Sequence, residues 1–157
     1  NYLGLCGHPA VSHAAKAAID RYGTTVSASR IASGERPLHR ELEAALAALL
    51  GTPDCLTFVS GHGMNVSLIS EIVGPGDLVL HDAYIHNSLL MGSKLSGARP
   101  VIFPHNKLEA LERRLARHRA SHRRAVILVE GVYSMDGDLP DLPALVALKR
   151  RYDAQLF

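Results

Sequence analysis

Apolar residues recur at two spacings along the chain, and the spacing predicts which segments are helices and which are strands. Between residues 9 and 22 they recur with the period of one helix face, at Val11, Ala14, Ala15, Ala18, Ile19 and Tyr22. After Pro37 a second helical stripe is formed by Leu38, Leu42, Ala45, Leu46 and Leu49. Gly51 marks its end. The intervening "YGTTVSASRIASGERP" predicts loop or a short strand.

From residue 55 onward, short β-rich runs alternate with helical patterns. Strands are predicted at residues 55–60, 78–82, 99–104 and 125–133. Helices are predicted at residues 62–73, 87–96, 107–118 and 142–152. This alternation with short connectors predicts an α/β fold with a mostly parallel sheet in three α/β/α layers. We expect residues 1–52 to form an N-terminal segment of helices and loop, and residues 53–157 to form the first part of a large domain.

Composition narrows the class of protein but does not identify it. Of the 157 residues, 47% are apolar and 20% are charged, which is typical of a soluble globular chain. A formal charge of +2 gives no strong attraction to nucleic acid or to anionic membranes. No apolar run is long enough to span a membrane, and no signal peptide is recognisable. Cys6 and Cys55 indicate neither a disulfide framework nor a zinc site, and two unpaired thiols suit a cytosolic location.

Both ends of the sequence predict a piece of a longer polypeptide. The chain opens at "NYLGL" without a methionine and stops at "AQLF", where an apolar strand begins.

Three connectors follow predicted strands, and in a parallel sheet all three would lie at one edge, where ligands bind. They are "SGHGMN", "HDAYIHNS" and "EGVYSMDGD". In the first, Gly61 and Gly63 precede a predicted helix and could form a phosphate cradle, although a simple tight turn has the same composition.

The other two connectors also have two interpretations each. His81, Asp82 and His86 could bind a metal, but their spacing fits no common ligand pattern. His86 could instead stack on a ligand, transfer protons, or simply hydrogen-bond within a loop. The third connector could direct a hydroxyl or a carboxylate at a ligand or could form only a turn, and its polar residues are Glu130, Ser134, Asp136 and Asp138.

The order and spacing of several motifs together resemble the α-oxoamine synthase family of fold-type I pyridoxal-phosphate enzymes. The motifs cover nearly the whole chain: "NYLGL", "SASRIASGERPLHRELEAALAALLG", "FVSGHGMN", "HDAYIHNSLLMGSKLSGA", "FPHN" and "VEGVYSMDGDLPDLPALVALKRRY". "SGHGMN" and "HDAYIHNS" are most similar to the versions of this domain built into polyketide-synthase-type assembly lines.

The resemblance implies an activity, a cofactor and partners. It implies an acyltransferase that uses pyridoxal 5'-phosphate to condense an α-amino acid with an acyl thioester, with loss of CO₂, to give an α-amino ketone. Glycine, alanine and serine stay open as the amino acid, and coenzyme A or a carrier protein as the thioester carrier. The resemblance also implies a homodimer. From the charge, the apolar run lengths and the ligand spacing, we expect no nucleic-acid partner, no membrane partner and no metal.

The resemblance also implies roles for individual residues. Gly61 and His62 would present backbone N–H groups to the cofactor phosphate, although the family more often has Tyr or Phe at position 62. His86 would stack on the pyridine ring as the catalytic histidine and help to place the substrate carboxylate. Ser134 would hydrogen-bond the phenolic oxygen of the cofactor, and Glu130 would support the site.

Asn1, in the "NYLGL" motif, would by the same resemblance lie near the substrate. The family's Schiff-base lysine and the aspartate that pairs with the ring nitrogen fall after the last residue of this chain. We therefore expect residues 1–157 alone to be inactive. The alternatives are a lysine-free scaffold subunit and another fold-type I enzyme, such as an aminotransferase.

Overall fold

The computed structural model describes residues 1–157, which form two compact units, Asn1–Thr57 and Phe58–Phe157. The first unit contains helix α1 (Pro9–Tyr22), a π-helical turn (Arg30–Gly34) and helix α2 (Pro37–Leu50). Both helices agree with the bounds predicted from the apolar spacing. Their apolar stripes are largely exposed, however: α1 has no buried residue, and Glu43 and Ala47 are the buried residues of α2.

An ion-pair network organises the end of the first unit. Arg30 Nη1 lies 2.6 Å from Glu43 Oε1, and Arg30 Nε lies 2.6 Å from Glu35 Oε2. The backbone N–H of Thr57 donates to Glu43 Oε1 at 2.9 Å. Hydrogen bonds from Arg30 and from Thr57 lower the pKa of Glu43 to about 2.

The strand predicted at residues 55–60 is therefore wrong. The backbone N–H of Thr57 binds a carboxylate instead of a neighbouring strand, and Val59 is fully exposed. A β-rich run without a partner strand has no ladder to join, so the composition alone was misleading here.

The second unit is built on a four-stranded parallel sheet. Its strands are β1 (Leu78–Asp82), β2 (Arg99–Phe103), β3 (Ala125–Leu128) and β4 (Gln155–Leu156), in the order β2-β1-β3-β4. The prediction of an α/β fold with a parallel sheet is confirmed. Strand β3 ends before the predicted residue 133, because the following loop folds on itself: the Tyr133 N–H donates to the Asp138 carbonyl.

Helices cover both faces of this sheet. They are α3 (Gly61–Ile72), α4 (Asn87–Leu95), α5 (Leu108–His118) and α6 (Leu142–Arg151), and a 3₁₀ turn (Arg119–Ser121) follows α5. None of the helices has the length and apolar character needed to cross a membrane.

The alternation of side chains along β1 divides the core into two layers. Leu78 and Leu80 pack with Leu111 and Leu115 of α5 and with residues of α6. Val79, between them, packs on the opposite face with residues of α3 and α4, including Ile69 and Leu89. Because side chains of a strand alternate between faces, one apolar strand serves both layers, and the three-layer α/β/α prediction is confirmed.

Ion pairs close the amino edge of the sheet. At the amino edge, the fully buried Asp77 precedes β1 and accepts hydrogen bonds from Arg123 and Arg124, which precede β3. The Arg123 hydrogen bond, with that of Arg124, holds the pKa of Asp77 well below its usual range. Two basic residues of the segment between α5 and β3 therefore close this edge.

Helices α3 and α4 approach each other closely at Gly92. A Cβ atom at this position would lie 2.8 Å from Ile69 Cβ and 2.9 Å from the Val66 carbonyl oxygen. Such distances are shorter than van der Waals contact, so only glycine allows this packing.

Gly92→Ala should therefore destabilise the intact protein by about 1–3 kcal/mol, because the two helices must move apart. Urea titration followed by circular dichroism measures the free energy of unfolding. Gly131→Ala is the matched control, since no atom lies within 4 Å of its Cβ position. Equal stability of the two variants would contradict the close approach.

Candidate functional site

The carboxyl ends of three parallel strands bring polar residues to one edge of the sheet. Strand β1 ends at Asp82, β2 is followed by His105, and β3 is followed by Glu130. Open α/β sheets bind ligands at this edge. Two of the three connectors named from the sequence do follow strands at this edge, while "SGHGMN" follows a loop and not a strand.

The first turn of α3 is nevertheless arranged to bind an anion. Ser60 caps the helix, and its Oγ accepts a hydrogen bond from Gly63 N at 3.0 Å. The N–H groups of Gly61 and His62 have no acceptor in the chain. No atom lies within 4 Å of the Gly61 Cβ position, so a ligand can approach this backbone.

The His86 ring is held in one orientation by its own helix. His86 is the N-cap of α4, and its Nδ1 accepts a hydrogen bond from Ser88 N at 3.2 Å. Ser88 Oγ lies 2.7 Å from the same nitrogen and accepts from Asn65 Nδ2 at 3.0 Å. Since His86 is exposed while these partners are half-buried or buried, the ring is both fixed and accessible.

His86 also connects the helix terminus with the end of β3. The His62 and His86 ring centroids are 6.1 Å apart at an interplanar angle of 84°. The backbone N–H of His86 donates to Glu130 Oε1. The structure thus brings together the α3 terminus, the His86 ring and the Glu130 carboxylate, all of which were named from the sequence.

The contacts of His86 with His62 and Glu130 do not include Ser134 or Asn1. Ser134 lies in the loop after β3 and lines a cleft of about 320 Å³ together with Tyr84, Tyr133, Met135 and Asp136. Asn1 belongs to the first unit, where its Oδ1 accepts from Cys6 N at 3.1 Å. The roles of both residues stay predictions.

The metal-site interpretation of His81, Asp82 and His86 is not supported, because other partners use these groups. Asp82 Oδ1 accepts from Tyr84 N at 2.8 Å, and Asp82 Oδ2 accepts from Asn106 N at 2.9 Å. His81 Nδ1 lies 3.0 Å from the Asp82 carbonyl oxygen. Asp82 instead organises the loops around it.

A histidine that the sequence interpretation did not single out lies at the centre of these loops. His105 Nδ1 is 2.8 Å from Asp82 Oδ1, and His105 Nε2 is 2.8 Å from Asp138 Oδ2. The ring stacks on Tyr84 at 4.3 Å and 14°, and meets Tyr133 edge-on at 4.5 Å and 86°. Its position directly after β2, in "FPHN", was the signal that could have identified it.

The two carboxylates determine the protonation of His105. Burial alone would lower the pKa of His105, but hydrogen bonds to Asp82 and Asp138 outweigh it and raise that pKa above its usual value. His105, Asp136 and Asp138 are also close enough to hold a cation. Both His105 nitrogens already face carboxylates, however, so the cluster is an internal ion network.

Asp138→Asn should reduce stability by about 1 kcal/mol or less, because Asp138 is partly exposed. A raised histidine pKa contributes stability that is fully present below the unfolded value of about 6.5. That contribution is lost as the pH rises through the folded pKa. The stability difference between wild type and Asp138→Asn should therefore shrink over this window, measured by urea titration at several pH values.

Asp153→Asn is the control for this measurement. Asp153 pairs with Arg119 and has an almost fully exposed side chain, so its difference from wild type should not follow the histidine titration. A pH-independent effect of Asp138→Asn would contradict the bridge between His105 and Asp138.

The second unit is a parallel α/β domain with a candidate ligand site at the carboxyl edge of its sheet. Over residues 1–157 the chain matches the family described as "Aminotransferase class I and II". The chain therefore belongs to the class I and II aminotransferase family.

Individual relatives agree with the resemblance stated from the motifs. The chain is 51% identical over 156 residues to 8-amino-7-oxononanoate synthase of Geobacter sulfurreducens, covering 99% of this chain and 40% of that protein. It is 49% identical over 154 residues to the synthase of the same name from Maricaulis maris, covering 98% and 39%. The chain thus spans about two-fifths of the length of the curated relatives it matches.

Solved structures confirm the fold-type I assignment. Serine palmitoyltransferase of Sphingomonas wittichii superposes with a TM-score of 0.94 at 36% identity, covering 99% of this chain and 39% of that one. A serine palmitoyltransferase from S. paucimobilis with bound PLP superposes with a TM-score of 0.90 at 34% identity, covering 95% and 37%. The predicted resemblance to α-oxoamine synthases is confirmed by these relatives.

Proposed function

We propose that this chain is the cofactor-cradling part of a pyridoxal 5'-phosphate-dependent α-oxoamine synthase. The observation that carries the proposal is the convergence of a free helix terminus at Gly61, the fixed ring of His86 and the carboxylate of Glu130. An anion site beside an accessible aromatic ring suits a ligand that combines a phosphate with a flat heterocycle.

Different residues of the site would bind different parts of the cofactor. The N–H groups of Gly61 and His62 would donate hydrogen bonds to the phosphate oxygens, because they have no partner within the chain and lie at the positive end of α3. His86 would stack on the heterocycle, and its contacts with Ser88 fix the ring before the ligand arrives. Glu130 holds the backbone of His86 from the end of β3.

Ser134 is assigned to the phenolic oxygen of the cofactor on the resemblance, and it is exposed in the cleft that Tyr84 also lines. Asn1 is assigned to the substrate on the resemblance alone. When bound, pyridoxal phosphate supplies the electron sink for a carbanion formed from the amino acid. This chain would contribute binding and orientation of that group.

The proposed reaction condenses an α-amino acid with an acyl thioester and releases CO₂. It is supported by relatives named 8-amino-7-oxononanoate synthase and serine palmitoyltransferase, which favour an acyltransferase over an aminotransferase. The amino acid is glycine, alanine or serine. The acyl group comes from a thioester of coenzyme A or of a carrier protein. A cytosolic homodimer is part of the proposal.

The alternative is a scaffold subunit without a Schiff-base lysine. A scaffold would have no use for uncommitted N–H groups beside an exposed, oriented ring. The combination of free N–H groups and a fixed, exposed ring is therefore the reason to prefer an enzyme, although no residue of this chain serves as the Schiff-base lysine in the proposal.

The deciding experiment uses the natural, full-length polypeptide. Pyridoxal phosphate is added, the protein is reduced with borohydride, and its peptides are mapped for a pyridoxyl-lysine. We expect one labelled lysine at a position after Phe157. Absence of any labelled lysine would reject the enzyme in favour of the scaffold.

His86→Ala should raise the Kd for pyridoxal phosphate about two- to tenfold, which corresponds to the loss of one aromatic stacking contact. Fluorescence titration of the full-length protein measures this constant. His122→Ala is the matched control, because His122 is a half-buried histidine that contacts His118 and Ser121 and lies before β3. Equal affinity of the two variants would refute the stacking role.

A further inference from the structure

His105 joins two segments that are far apart in the sequence. Asp82 ends β1, whereas Asp138 belongs to the loop between β3 and α6, and each has an oxygen 2.8 Å from a His105 nitrogen. An ionised carboxylate only accepts hydrogen bonds, so both ring nitrogens must donate. Between two ionised carboxylates, the geometry therefore requires an imidazolium.

The groups around His105 suit a positive charge. Its titratable neighbours are Asp82 from β1, Tyr84 from the loop before α4, and three residues of the loop after β3, Tyr133, Asp136 and Asp138. These neighbours are carboxylates and phenols. The ring is 17% exposed, so solvent screens the bridge to Asp82 only in part.

The Asp82 end of this bridge is rigid. The Asp82 side chain is 1% exposed. Besides His105, its carboxylate accepts from the backbone N–H groups of Tyr84 and Asn106. Three donors therefore fix the carboxylate at the end of a buried strand, and it can serve as an anchor.

The Asp138 end closes a loop that contains Ser134. The Asp138 carbonyl accepts from Tyr133 N at 3.0 Å, and Gly137 N donates to the Tyr133 carbonyl at 2.7 Å. Asn106 Nδ2 donates to Asp138 Oδ2 at 2.8 Å. The loop is thus closed on itself between residues 133 and 138, and Asp138 is its connection to His105 and Asn106.

We propose that His105 is a positioning residue. As an imidazolium shared by Asp82 and Asp138, it fixes the closed 133–138 loop against the end of β1 and so places the Ser134 hydroxyl. This inference deepens the proposed function and rests on it, since Ser134 is assigned there to the phenolic oxygen of the cofactor. In this role His105 acts through the position of Ser134 and not by its own contact with the cofactor or the substrate.

The first test asks whether the bridge exists, and it requires no cofactor. The full-length protein is labelled with ¹⁵N-histidine, and the His105 signals are assigned by their loss in His105→Gln. At pH 7.5 both His105 nitrogens should show the shifts of a protonated ring, and in Asp138→Asn the ring should titrate at lower pH. A neutral His105 tautomer at pH 7.5 in the wild type would overturn the proposal.

The second test asks whether the bridge positions Ser134. The Kd and the absorbance spectrum of bound pyridoxal phosphate are measured for His105→Gln, Ser134→Ala and the double variant. Each single change should weaken binding about two- to tenfold, the range of one net hydrogen bond, and shift the absorbance in the same direction. The double variant should be no worse than Ser134→Ala alone.

Controls separate positioning from loss of fold. His122→Gln should bind and absorb like the wild type. If His105→Gln does not fold, Asp138→Asn takes its place in the cycle, because Asp138 is 41% exposed and its replacement keeps the side-chain shape. Additive effects of the two single changes would show that His105 does not act through Ser134.

The outcomes also distinguish this inference from the function it rests on. A wild-type protein that binds no pyridoxal phosphate would overturn the proposed function. A wild type that binds the cofactor, with an unchanged spectrum in His105→Gln, would overturn the positioning role alone.

Discussion

The parallel pairing of β1 with β2 and β3 is the constraint on which the rest of the second unit depends. All five residues of β1 are buried, and Leu78, Val79 and Leu80 serve the two apolar layers in turn. Because the neighbouring strands run in the same direction, their carboxyl ends meet at one edge. The amino edge is closed by Asp77 with Arg123 and Arg124, so the polar loops of the carboxyl edge are the ones left to form a site.

The sequence alone predicted those helices and strands whose formation depends on residues close together in the chain. Apolar periodicity identified the α5 face with Leu111 and Leu115, and both side chains are fully buried. Strand β3 was recognisable from its strongly apolar run, as expected for a strand covered on both faces, and all four of its residues are buried. The failure at residues 55–60 has the opposite cause: strand formation requires a partner, and Glu43, a side chain distant in sequence, takes the Thr57 N–H instead.

The same distinction applies to the site. Gly61 and His86 could be named because each lies at a helix start, a position that local sequence marks. The link from His86 to Glu130 and the bridge from His105 to Asp138 join residues 44 and 33 positions apart. Their partners follow from sheet order, which the sequence pattern did not establish. His105 was overlooked for this reason, although it follows β2 just as His86 follows β1.

A buried carboxylate at the end of a strand is costly unless donors surround it, and this cost explains why the loops are ordered as they are. Asp82 would lose its hydration on folding, and it regains partners from Tyr84 and His105 at Oδ1 and from Asn106 at Oδ2. Two of these donors belong to the segment after β2, so satisfying Asp82 also fixes that segment. His105 also contacts a second carboxylate, that of Asp138, and this contact orders the loop after β3. Three strand ends are thereby tied together by one chain of polar contacts, while His86 and the α3 terminus beside it keep groups free for a ligand.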